Sequence, residues 1–441
     1  MKKIILSFLF LSFIPFTSAY AIDWKKYDGR EVNMICMTIT WCNAVKDQLP
    51  KFKEKTGITV NLDLFEESAA HQKVRTELAS GSGAYDIIWA QANWTIPYAK
   101  QGFLAPLQPL IDNKNITDDA VLNYDDMMSA LTDLMKYEGD LYGLPFFAAT
   151  IMTYYRADLL EEAGIDPIEL DTIDGFVNAI KKLHNKDIAG VAMRGHAGEA
   201  SWHQTVFMKG MGGKYFVDVK SEDYTPTFNT PEVIEAVKIY ADLFINSSPA
   251  GAVNFKYTDV VLAMQQGNAA IIMEGAPLGG LINDPEKSTV RGKLGYAMVP
   301  KGPGGRHPAF TGHGLALASA SKNLEPAWYF LQWALSKDVT LDIALNSNHV
   351  GVHRDSVWED PTFREKWNLP AAGGDFLKTF QDSLNQGDPD YRPRISGWSE
   401  INTAYGEGIQ KVILGQLTAE DAMDEVQSKA ESVLKRLKYI K

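Results

Sequence analysis

Gln91, Asn93 and Trp94 stand together just past a short apolar run, Tyr85-Asp86-Ile87-Ile88-Trp89-Ala90, which is entered through Gly81-Ser82-Gly83. The two amides can donate and accept hydrogen bonds in several directions, and the indole offers a flat apolar face. Such a set suits a sugar ring, whose C–H faces want an aromatic surface and whose hydroxyls want donors and acceptors. The plainer reading makes Trp89 core and Trp94 helix packing, so the surrounding elements have to decide between the two.

The run Tyr85–Ala90 reads as a buried strand, and two more precede it. Val32–Met37 is the first, followed by a helix over 43–56 that Gly57 stops and Pro50 kinks or delays. Thr59–Leu64 alternates as the second, and Ser68 opens a helix over 71–80. Strand, helix, strand, helix, strand predicts a right-handed parallel βαβ layer. It places Thr40-Trp41, Glu66-Glu67 and Asn93-Trp94 at one edge, beyond the carboxyl ends of the three strands, where open α/β sheets bind ligands. Trp41 and Glu67 therefore join Asn93 and Trp94 as candidates.

The stretch YDIIWAQANWTIPYAKQGFLAPL resembles the corresponding segment of the family 1 extracellular solute-binding proteins, maltose-binding-protein-like receptors of ABC importers for sugars and polyols. Two other stretches, DLYGLPFFAATIMTYYRADLLEEAGI and QQGNAAIIMEG, resemble that family as well. The resemblance implies an α/β chain of the type II periplasmic-binding-protein fold, two lobes around a ligand cleft joined by three hinge crossings. The expected parts are residues 22–145 plus 308–348 as the amino-terminal lobe and 146–307 plus 349–441 as the carboxyl-terminal lobe, with the first hinge at Tyr142-Gly143-Leu144-Pro145. It also implies cleft residues in the second half. Trp202 would present an aromatic face, and Glu274, where a strand meets the cleft, would accept hydroxyls in charge-assisted bonds. His313 fills the variable slot of Gly312-His313-Gly314, whose glycines argue for close backbone approach. Arg394 and Trp398 lie in the stretch resembling the cleft lip. Where relatives often carry an acidic residue past the first crossing this chain has Ala148-Ala149-Thr150, and Pro277 replaces a frequent aromatic.

Met1-Lys2-Lys3, the apolar run Ile4–Phe16 and the small-residue site Ala19-Tyr20-Ala21 read as a cleaved signal peptide over 1–21, which places the mature chain in the periplasm. Losing Lys2 and Lys3 takes the net charge from −12 to −14, a poor match for nucleic acid or an anionic membrane. In that oxidising compartment Cys36 and Cys42 can close a disulfide across the strand-to-helix turn, the alternative being two buried thiols. Tyr154 and Tyr155 would point to opposite faces of a strand and so make a poor iron pair, and no metal or cofactor is expected.

The expected role is a monomeric receptor that closes on a sugar or polyol and docks on ABC importer membrane subunits. Another small solute is the alternative. A betaine-like cation would use an aromatic cage, and a glycerol phosphate would call for clustered Arg or Lys that the candidate set lacks. A glycoside hydrolase would need two carboxyls roughly 5 to 9 Å apart across the scissile bond, which Glu67 and Glu274 could supply only through closure. No nucleophile elbow, P-loop or zinc motif supports other chemistry.

Overall fold

A computed structural model describes residues 22–441; the expected signal peptide over 1–21 lies outside them. Nine strands build the two main sheets: β1 (Glu31–Met37), β2 (Thr59–Phe65), β3 (Ile87–Gln91), β4 (Leu144–Ala149), β5 (Ile151–Arg156), β6 (Ala189–Ala192), β7 (Ala269–Gly275), β8 (Leu294–Met298) and β9 (Thr311–Leu317). The amino-terminal lobe holds the order β2-β1-β3-β9-β4 and the carboxyl-terminal lobe β8-β5-β7-β6. Strands β1, β2 and β3 are parallel, as the alternation of strand and helix requires, while β9 runs antiparallel to both β3 and β4.

Both faces of the first sheet are covered, which is why β3 runs apolar from Ile87 to Ala90 rather than alternating. Its Ile87 and Trp89 enter the core with Trp41 and Trp328, and Ile88 and Ala90 enter the opposite one with Leu78 and Tyr98. The second sheet is sandwiched likewise. Tyr155 packs with Phe176 on one face and Tyr154 with Trp358 and Trp367 on the other, the two-residue period of a strand made visible.

Helix α1 (Thr40–Thr56) ends at Gly57, whose φ of 75° lets its N–H reach back to the Lys53 carbonyl. Helix α2 (Glu67–Ser80) begins earlier than the expected 71, because Glu66 caps it by accepting from the Ser68 N–H at 3.0 Å. The early start puts Glu67 in the first turn. Helix α3 (Ala92–Lys100) follows β3 without a gap.

The first crossing is not at Tyr142–Pro145. Pro145 pairs with Gly314 inside the first sheet, and the chain changes lobes at the buried Thr150, between β4 and β5. The return falls at Ala309 and Phe310, which pack into the carboxyl- and amino-terminal cores respectively. In the third crossing Gly351 accepts from the Ala148 N–H and Arg354 donates to the carbonyls of Leu122 and Asn123, while Val350 and Val352 turn into the second lobe's core. That segment is thus held by both lobes rather than opening the second one at 349.

Candidate functional site

Where the lobes face each other they leave adjoining spaces of about 280, 200 and 20 Å³, and Gln91 and Arg392 border all of them. The amino-terminal wall comes from strand ends and helix starts. Glu67 borders the two larger spaces, and Asn93 the largest and the smallest. Trp94 donates its indole N–H to Gln91 Oε1 at 3.1 Å, which leaves the amide NH₂ of Gln91 for the cleft. Its ring sits 5.1 Å from His71 and 6.3 Å from Tyr98. His313 accepts the Trp89 indole N–H on Nδ1 at 3.0 Å, so its proton resides on Nε2. Burial holds His71 and His313 at pKa values of about 4 and about 3, both neutral near pH 7.

The carboxyl-terminal wall is a charged network. Arg194 follows β6 and clasps Glu274 with two N–H groups, one at 3.0 Å, and reaches Glu199 at 3.4 Å. Glu274 also accepts its neighbour Gly275 N–H at 2.7 Å, and His203 Nε2 stands 3.6 Å away. Burial alone would raise the Glu274 carboxyl, but the Arg194 guanidinium and His203 hold it down at about 2. Glu199 in turn accepts the Tyr257 backbone N–H at 3.0 Å. The Trp202 ring lies near two guanidiniums, 5.6 Å from Arg194 and 5.2 Å from Arg392.

Of the candidates, Glu67, Asn93, Trp94, Trp202, His313, Arg394 and Trp398 border the cleft. Trp41 does not: it is fully buried, stacked on Phe146 with centroids 4.3 Å apart. The residues around it, Met37 to Thr40 and Asn43, line the cavity, because α1 starts at Thr40 and turns Trp41 beneath the sheet. Glu274 is fully buried behind Arg194, its oxygens already engaged, so Arg194 and not the carboxylate meets the space. Arg394 touches the smallest space alone and pairs with Asp390 at 3.0 Å. Trp398 is a core residue against Tyr215 that shows an edge to the largest space. The glycines around His313 serve strand packing instead of a ligand: a Cβ at Gly314 would lie 2.6 Å from the Leu144 carbonyl oxygen. Cys36 and Cys42 are joined, their Cα atoms 6.4 Å apart.

Arg194, Arg392 and Tyr257 were missing from the candidate set. Arg194 had one signal, a cation at a strand end before Gly195, and Arg392 lay two positions from the residue chosen.

A family model described as bacterial extracellular solute-binding protein matches residues 40–340. The erythritol/L-threitol-binding protein of Mycolicibacterium smegmatis is 24% identical over 84% of this chain and 80% of its own. Two solved solute-binding proteins share the architecture. One from Agrobacterium radiobacter, in complex with ribitol, superimposes with a TM-score of 0.83 at 24% identity, covering 92% of this chain and 99% of that one. One from Agrobacterium vitis, with bound D-mannitol, gives 0.82 at 25% identity, covering 93% and 100%. The two-lobed fold is that of the maltose-binding-protein-like periplasmic receptors, and with well over half of its length matched, the chain belongs to the bacterial extracellular solute-binding proteins.

Proposed function

We propose that this protein is a periplasmic receptor that closes its lobes on an uncharged polyol or small sugar and presents it, as a monomer, to the membrane subunits of an ABC importer. The observation that carries the reading is a cleft with hydrogen-bonding groups on both walls: Gln91, Asn93 and Glu67 on one, Arg194 and Arg392 beside the Trp202 ring on the other. Only a ligand touched from both lobes can shift an open–closed equilibrium. The names of the relatives, for four-, five- and six-carbon polyols, favour an acyclic chain over a large oligosaccharide. Spaces of about 280 and 200 Å³ match that size.

Catalysis gains no support, because Glu274 is clasped by Arg194 and cannot act as acid or nucleophile beside Glu67. The test is calorimetry and thermal shift against erythritol, threitol, ribitol, mannitol, sorbitol, maltose, glycine betaine and glycerol 3-phosphate. Heat and a raised melting point with one or more polyols support the reading, since a ligand of the folded state stabilises by mass action. Silence across the polyols with heat from the betaine or the phosphate ester overturns it.

A further inference from the structure

Two arginines face the cleft, and their surroundings differ. Arg194 is already paired with two carboxylates, Glu274 and Glu199. Arg392 borders all three spaces, yet its Nε, closed off from solvent, has no hydrogen-bond partner among the described residues. It meets opposite charge only at a distance, and Glu67 is the carboxylate among those sources. Glu67, on the opposite lobe, borders two of the same spaces and likewise interacts with its charged neighbours through space alone. A guanidinium and a carboxylate with unused hydrogen-bonding capacity thus border the same spaces of about 280 and 200 Å³ from opposite lobes, and their charges are opposite. A hydroxyl can accept from the first while the next hydroxyl donates to the second, so a neutral polyol completes both. A chain oxidised to a carboxylate at one end gains at Arg392 but brings a second anion beside Glu67.

We propose that Glu67 is a specificity-determining residue, holding the cleft selective for neutral polyols against their one-end-oxidised acids, with Arg392 as the ligand donor it balances. The proposal rests on the polyol reading above. The groups facing Glu67 are Glu66 and His71 on its own segment, and Arg194, Glu199, Tyr257 and Arg392 from the other lobe. His71 is neutral above about 4 and Tyr257 below about 12, and Glu199 is held by Arg194 and the Tyr257 N–H. Burial, with Glu199 adding to it and Arg194 and Arg392 opposing, raises the Glu67 carboxyl to about 7. Glu67 therefore changes charge close to neutrality, and the exclusion of an acid should fade as pH falls through that value.

The experiment is calorimetry on the purified protein with two matched pairs, ribitol with D-ribonate and mannitol with D-mannonate, at about pH 8.5 and about pH 5.5. The expected result is a preference for the polyol of about tenfold or more at the higher pH, narrowing at the lower one. Glu67→Gln should reduce that preference at the higher pH and remove its pH dependence. Arg392→Gln should weaken both members of a pair, the acid more. An unchanged polyol-to-acid ratio in Glu67→Gln, or a wild-type ratio near one at the higher pH, overturns the proposal while leaving the polyol reading intact. Wild-type silence toward both polyols, with heat from another solute class, takes down the two together.

Discussion

On the amino-terminal side of the cleft, Glu67, Gln91 and Asn93 stand at the ends of β2 and β3 or in the helical turns that follow, placed by backbone alone. On the other side, Arg194, Trp202, Tyr257 and Arg392 come from three separate stretches of the chain; buried bonds to Glu274 and Glu199 tie Arg194 and Tyr257 together, and Arg392 lies against the Trp202 ring. The first wall leaves few charges behind it. The second has Glu274 and His203 at zero exposure beneath Arg194. A residue in the first wall can thus be lost at the expense of affinity, whereas the support of the second cannot be removed without leaving a charge stranded in the interior.

The sharpest way to break that contrast is Glu274→Gln. Removing one partner of a buried pair costs about 3–5 kcal/mol, so the variant should unfold at clearly lower denaturant, as read by circular dichroism. A variant as stable as wild type would mean that both walls are equally tolerant. The pH dependence has a definite sign. With its folded pKa lowered to about 2 from an ordinary value near 4.5, Glu274 stabilises the fold fully above the ordinary value and loses that contribution as pH falls toward about 2. The stability gap between wild type and Glu274→Gln should accordingly close over that interval. Trp41→Ala should destabilise almost as much, about 3–5 kcal/mol, because it empties a core site against Phe146. Any change in ligand Kd beyond that loss would put Trp41 back at the cleft.

The same contrast governs how much of the site could be read in the chain. Strand-end positions follow from periodicity, and Glu67, Asn93 and Trp94 lie where the βαβ pattern puts them. The pattern locates a residue along an element, not its side chain. Trp41, at the second position of α1, rotates into the core while Thr40 meets the space. The second wall depends on contacts between residues such as Arg194 and Glu274, eighty positions apart, which no local period encodes. Glu274 was visible as an acid at a strand end, but the cation covering it was not, so its oxygens were assigned to a ligand. The first hinge was displaced for a related reason. Gly143 and Pro145 suggest a break, yet Pro145 lies within β4, whose ladder shifts register at that point.

Trp94→Ala tests the first wall directly. The ring lies against His71 and Tyr98 and is half-buried, so its loss should leave the unfolding midpoint nearly unchanged. Removing one aromatic face should weaken polyol binding by about 1–2 kcal/mol, five- to thirtyfold, in calorimetry. Equal losses of stability and affinity would erase the distinction between the walls.

The smallest effect probes what spans the two. Lys256 Nζ reaches Glu66 Oε1 at 3.1 Å, joining the start of the helix over Tyr257–Gln265 to the cap of α2. Both side chains are substantially exposed, so the pair should contribute less than about 1 kcal/mol to closure. Lys256→Ala should weaken the ligand by no more than about fivefold, and added salt should erase the difference by screening. Glu66→Ala removes the same ion pair and also the hydrogen bond to the Ser68 N–H that starts α2. It should therefore lose a further 0.5–2 kcal/mol or so of stability that salt does not restore. If the two variants behave alike in salt and in melting, Glu66 does not cap the helix that carries Glu67, and the amino-terminal wall is not placed by backbone alone.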